Sequence, residues 1–146
     1  MTPIPIDLLS VLVAAFAGMA VGFAWYGPLF GKQWVAMMGW TPQQMEEGRK
    51  KMQGAQAAKT YLLAFLGTAV MAYVLAHSIF FAAAYYDQSG TGTGLQGAFW
   101  SWLGFVVPVM LGKVLWKGKS WKLFAFDSGH YLASLAVMGI ILSNWS

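Results

Sequence analysis

Four nearly uncharged stretches, at about residues 6–26, 60–84, 95–116 and 123–143, dominate this chain. Each reaches the roughly 20 residues that a helix needs to cross a hydrocarbon core about 30 Å thick. Lipid offers no partner for a free N–H or C=O, so such segments must satisfy their own backbone as helices. The prediction is an all-α polytopic membrane protein, a bundle of four transmembrane helices forming a single domain over residues 1–146. Only 10% of the residues are charged, against about a quarter in soluble domains, which leaves no room for a separate soluble unit. The absence of cysteine removes disulfides, thiolate nucleophiles and Cys-ligated metals, and two histidines at different depths do not make a metal set. No cofactor is expected.

The positive charges give an orientation. Lys32, Arg49, Lys50, Lys51 and Lys59 fall between the first and second spans, and Lys113, Lys117, Lys119 and Lys122 fall at or near the turn between the third and fourth. Short loops retain Lys and Arg in the cytoplasm, which puts both basic loops inside and both termini outside a cytoplasmic (inner) membrane. The expected partners are the bilayer and anionic lipids on its cytosolic face, and the basic balance is a topogenic signal that gives no reason to expect nucleic acid. The first residues carry Pro3, Pro5 and the acid Asp7 with no Lys or Arg, so they lack the basic start of a secretory signal and span one is expected to be retained.

The corner after span one is the densest local signal. Trp25-Tyr26-Gly27-Pro28-Leu29-Phe30-Gly31-Lys32-Gln33-Trp34 joins helix-breaking residues to aromatic ones. Pro28 has no N–H to donate, so the helix is expected to end or bend near Gly27. Trp25, Tyr26 and Trp34, like Trp116 and Trp121 at the other basic loop, are expected to anchor in the interface, with 29–38 as a short helix in that plane. Thr41-Pro42-Gln43-Gln44 then reads as a capping box opening a cytosolic helix, supported by Glu46–Lys50 and Glu47–Lys51 pairs four residues apart.

Within the spans, Ala14, Gly18 and Gly22 form a small-residue face on the first helix, and Ala64, Thr68, Ala72 and Ala76 form one on the second. Such faces let helix backbones approach closely. The glycine-rich 89–94 stretch reads as a flexible outer linker, since no strand precedes it to make a phosphate loop. Gly104, Pro108 and Gly112 share a face of span three, where Pro108 is expected to kink the helix. His77 is expected to point into the bundle or an outward cavity, because a polar ring facing lipid is costly.

Span four holds the costliest residues. Asp127, His130, Tyr131 and Ser134 share one face. Lys113 and Asp127 stand at equal distances from the inner turn near Ser120, so an ion pair between them locking helix three to helix four is expected. The functional alternative is that Asp127 and His130 carry a proton or hold a cation or polar ligand reached from the cytosol.

The corner motif, followed by Met38-Gly39-Trp40-Thr41-Pro42, Lys59 and Tyr61, Met71-Ala72-Tyr73-Val74-Leu75, Leu103-Gly104-Phe105 and Gly129-His130-Tyr131-Leu132, resembles the bacterial membrane family catalogued as domain of unknown function 1761. The resemblance runs over nearly the whole chain, is most specific in the aromatic-Pro-Phe-Gly stretch, and implies an integral membrane fold without an activity. On the residues alone, the leading expectation is a small non-catalytic protein that self-associates as a homo-oligomer or serves a larger membrane complex through its small-residue faces. A proton- or ion-linked small-molecule transporter built on Asp127 and His130 is the main alternative, and an interfacial lipid-modifying enzyme around Tyr26 and Trp34 a weaker one.

Overall fold

The computed structural model describes residues 4–145. Pro3 lies outside them. Among the described residues there is no strand, and the elements are α1 (Leu8–Ala24), a π-turn (Trp25–Leu29), α2 (Gly31–Met38), α3 (Pro42–Lys51), α4 (Gly54–Tyr86), α5 (Thr91–Ser101), a second π-turn (Trp102–Val106), α6 (Val107–Lys117) and α7 (Trp121–Asn144). Four continuous helical stretches are long and apolar enough to cross a membrane: Leu8–Leu29, Gly54–Tyr86, Thr91–Lys117 and Trp121–Asn144. Their apolar side chains largely face outward, as Leu62, Leu63, Leu66, Val70 and Val74 do on α4.

α7 is the central element and packs against α1, α4, α5 and α6. Its crossing with α1 is antiparallel: Gly18 lies beside Met138, Gly22 beside His130, and Tyr26 reaches Asp127. The crossing with α5 is closer still. A Cβ on Gly94 would strike the Gly139 carbonyl oxygen and Ser143 Oγ, and a Cβ on Gly139 would lie 3.0 Å from the Gly94 carbonyl carbon. Around these contacts Val11, Ala14, Ala72, Leu75, Ala76, Ile79, Ala98, Leu135 and Met138 form the core.

The expected linker at 89–94 is therefore corrected. Gly90, at a left-handed φ of 94°, makes the turn, and α5 starts at Thr91. The glycine that looked like loop composition is the residue that lets α5 and α7 touch backbone to backbone.

The capping box forms as read, with Thr41 Oγ1 accepting from Gln44 N–H at 3.1 Å and Gln44 Oε1 accepting from Thr41 N–H at 2.9 Å. The expected pairs of Glu46 and Glu47 with Lys50 and Lys51 are replaced by a two-pronged contact from Arg49 to Glu46, three residues apart, at 2.7 Å to each oxygen. A single guanidinium nitrogen, Nη2, donates to both carboxylate oxygens. α4, at 33 residues, extends about 50 Å by the helical rise and outreaches a hydrocarbon core about 30 Å thick.

The end of the bundle that carries both termini is tied by one acid. Asp7 caps α1 through Leu9 N–H at 2.8 Å and accepts from Trp145 Nε1 at 2.9 Å, joining the first helix to the end of the last.

Candidate functional site

The site begins with the broken corner after α1. Pro28 removes an amide from the helical ladder, and Gly27 leaves helical geometry at φ −118°, ψ −109°. The chain bridges the gap with a wide turn in which Phe30 N–H reaches the Trp25 carbonyl at 3.1 Å. The turn carries Trp25 and Tyr26 inward. They are not free interface anchors: Tyr26 packs edge-on against Trp34, Phe126 and His130, at ring separations of 4.9, 5.6 and 5.0 Å. Trp25 lies against Gly129, whose missing side chain leaves room for the indole. Trp116 and Trp121, by contrast, project outward.

Tyr26 Oη donates to Asp127 Oδ1 at 2.6 Å. That bond replaces the expected Lys113 pair. Among the described residues the only ion pair is Arg49–Glu46, so Lys113 and Asp127 face the same space without touching. The difference matches the packing: α6 makes only limited contact with α7, while α1 packs extensively along it.

His130 stacks beside Tyr26, and its Nε2 lies 3.4 Å from Ser134 Oγ, whose hydroxyl also points toward the Gly18 carbonyl at 3.5 Å. His130 Nδ1 and Trp25 Nε1 are buried without a hydrogen-bond partner. Such groups are costly to leave unmade.

Tyr26, Asp127, His130 and Ser134 line one side of a chamber of about 980 Å³. α1 and α7 supply Gly22, Tyr26, Asp127, His130, Tyr131 and Ser134; α4 supplies Thr60, Tyr61, Ala64 and Thr68; and Lys113, Lys117 and Lys119 stand along its α6 side. Met71, Met110 and Met138 are its deeper apolar lining. A smaller cleft of about 200 Å³ at the opposite end, around Asp7, Ser10 and Thr93, lies beyond the core residues Ala72 and Leu75.

The small-residue face of α1 has its partners inside the chain, whereas Ala64 of the α4 face is exposed. Ala14 is fully buried, a Cβ on Gly18 would lie 3.0 Å from both Met138 Sδ and Thr68 Cγ2, and one on Gly22 would lie 3.2 Å from His130 Nε2. His77 is half-buried, with its Nδ1 2.8 Å from the Tyr73 carbonyl of its own helix and its ring on Tyr73, so it needs no place inside the bundle. Pro108 sits just beyond the second π-turn, and Trp102 turns inward to donate from Nε1 to the Ser128 carbonyl at 2.7 Å. Among the described residues no three or more His, Asp or Glu side chains gather as metal ligands.

Sequence reasoning placed Asp127, His130, Tyr131 and Ser134 on one face but missed Tyr26 as their partner. Tyr26 and Asp127 are 101 residues apart. The available signal was depth: Tyr26 closes span one and Asp127 opens span four at the same basic side.

No curated protein and no solved structure matches the chain. A family model described as "Protein of unknown function (DUF1761)" matches residues 9–143, which hold every chamber residue named above, and the chain belongs to that family.

Proposed function

We propose that the chain is a four-span inner-membrane protein, with its termini outside the cytoplasm and its chamber open to the cytosol, that binds a small molecule there as a carrier. The observation that carries this reading is the chamber itself. Tightly closed bundles of four short helices fill their own centre, whereas this one keeps about 980 Å³ beside its costliest residues. Asp127, oriented by Tyr26, and His130 with Ser134 are the polar contacts for the bound molecule or for a coupled proton or cation. Intramembrane ionisable groups mark such pathways by default.

The orientation rests on all nine Lys and Arg residues falling in two loops on one side. The same charges favour contact with anionic lipid headgroups. We assign no catalytic step. Self-association has less support, because Ala14, Gly18 and Gly22 pack against α4 and α7 of the same chain. Enlarging those glycines would therefore disturb the fold before it tested an oligomer.

The cysteine-free sequence makes the test clean. Thr68→Cys is expected to react with a membrane-impermeant methanethiosulfonate when vesicles present the basic side to the reagent, and to be protected in the opposite orientation. Ala72→Cys, fully buried, should stay silent from both sides. Failure of Thr68→Cys to react from either side, while exposed Ala55→Cys on the basic side does react, would rule out a solvent-reached chamber.

A further inference from the structure

The chamber has a sideways extension. A second cavity of about 440 Å³ runs between α4 and α6, and Met71, Met110 and Tyr131 line both spaces. The second space is apolar, walled by Val74, Phe105 and Val109 among others. It exists because α4 and α6 rest on α7 and make little contact with each other. The second π-turn and Pro108 lie at this level, and the edges of the slot, Val70, Val74, Phe105 and Val109, are exposed on the face that apolar residues dominate.

The two compartments differ in chemistry. Lys113, Lys117 and Lys119 line the chamber, and none of them has a salt-bridge partner among the described residues. The single acid in the chamber, Asp127, already accepts the Tyr26 hydroxyl. The groove offers four Val, two Leu and one Phe side chain and no charge. An occupant matching both halves carries a negative head and one apolar chain.

We infer that the chamber and groove together hold a single-chain anionic lipid, which comes from the bilayer between α4 and α6 with its head at the lysines and its chain along Val74 and Val109. This rests on the chamber being a ligand site, as proposed above, and adds the ligand class and the route. The lysines select the head, since a basic side chain near an anionic headgroup is worth about fivefold in affinity. Met71 and Met110, flexible thioethers at the junction, adapt to the chain as it passes.

The test uses the full chain purified in a neutral detergent, offered equal amounts of lysophosphatidylglycerol and lysophosphatidylcholine of one chain length, with retained lipid read by native mass spectrometry. Lysophosphatidylglycerol is expected to be retained at least about tenfold over its zwitterionic counterpart, a floor set below the roughly 25-fold that two lysines at about fivefold each would supply. Changing Lys113, Lys117 and Lys119 together to Gln should erase the preference. Val74→Trp and, independently, Val109→Trp should reduce retention of both lipids, and both positions are exposed, so the fold tolerates the bulk. Equal retention of the two lipids, unchanged retention in both groove variants, or displacement of the lipid by glycerol 3-phosphate as effectively as by the lysolipid itself would overturn the inference. If Thr68→Cys is reached from the basic side and the lipid preference is absent, this inference alone falls; if Thr68→Cys is not reached, the chamber reading falls first.

Discussion

Gly94→Ala is expected to destabilise the protein by about 3 kcal/mol or more, at or beyond the upper end of ordinary overpacking. The added methyl meets the carbonyl group of Gly139, whose carbon would lie 2.7 Å away, and not the end of a side chain that can rotate aside. Relief requires α5 and α7 to separate, and α5 on α7 is one of the main helix contacts of the fold. Helix propensity acts in the other direction, since alanine is favoured over glycine by about 1 kcal/mol in a helix interior. Gly92, on the same helix with nothing within 4 Å of its would-be Cβ, separates the two effects. Gly92→Ala should leave thermal unfolding in detergent unchanged or raise it slightly, while Gly94→Ala lowers it by many degrees. Equal behaviour of the two variants would show that the close crossing is absent.

The second large effect is expected at the Tyr26–Asp127 bond. Tyr26→Phe keeps the ring among Trp34, Phe126 and His130 but leaves the carboxyl group without its donor, a loss of about 1–3 kcal/mol for a hydrogen bond to a charged or buried acceptor. Asp127→Asn retains an oxygen that accepts from the Tyr26 hydroxyl, so stability should hold within about 1 kcal/mol while ligand binding or coupled flux is lost. In the Tyr26→Phe, Asp127→Leu pair, the combined loss should fall short of the sum of the single losses by about 1–3 kcal/mol, because each single change already removes the shared bond. Additive losses would mean that the two side chains act separately. Parallel loss of folding and binding in Asp127→Asn would make the carboxylate structural.

These two sites mark where the amino-acid order is informative and where it is not. The four long apolar helices are legible because the hydrocarbon thickness sets a length that composition must meet within one continuous segment. The capping box at Thr41 and Gln44 is legible because its partners are three residues apart. Gly94 and Gly139 are opaque for the opposite reason. Each has an ordinary local explanation, a loop for one and a common membrane-helix residue for the other, and only the crossing of distant helices makes them a pair. The face of span four was readable from helical periodicity, but its partner depended on how the chain leaves α1. Local rules announced a break at Pro28 without fixing the direction of Trp25 and Tyr26. Equal depth alone puts Lys113 on Asp127, and depth says nothing of how closely α6 packs on α7.

The π-turn that precedes α6 has a further consequence. A π-turn holds one residue more than the α-helical turn it replaces, so Trp102–Val106 is in effect a one-residue insertion frozen into the third span. Removing one residue there would restore the α-helical count and rotate everything beyond it by about 100° about the helix axis. Lys113 and Met110 would swing away from the chamber together, and Lys117 with them. Side-chain identity on α6 is thus meaningful only in phase with this insertion: the same eleven residues, Val107–Lys117, would present a different face to α7 in a chain one residue shorter. Length between fixed points, as much as residue type, is the quantity that selection has to hold constant in this protein.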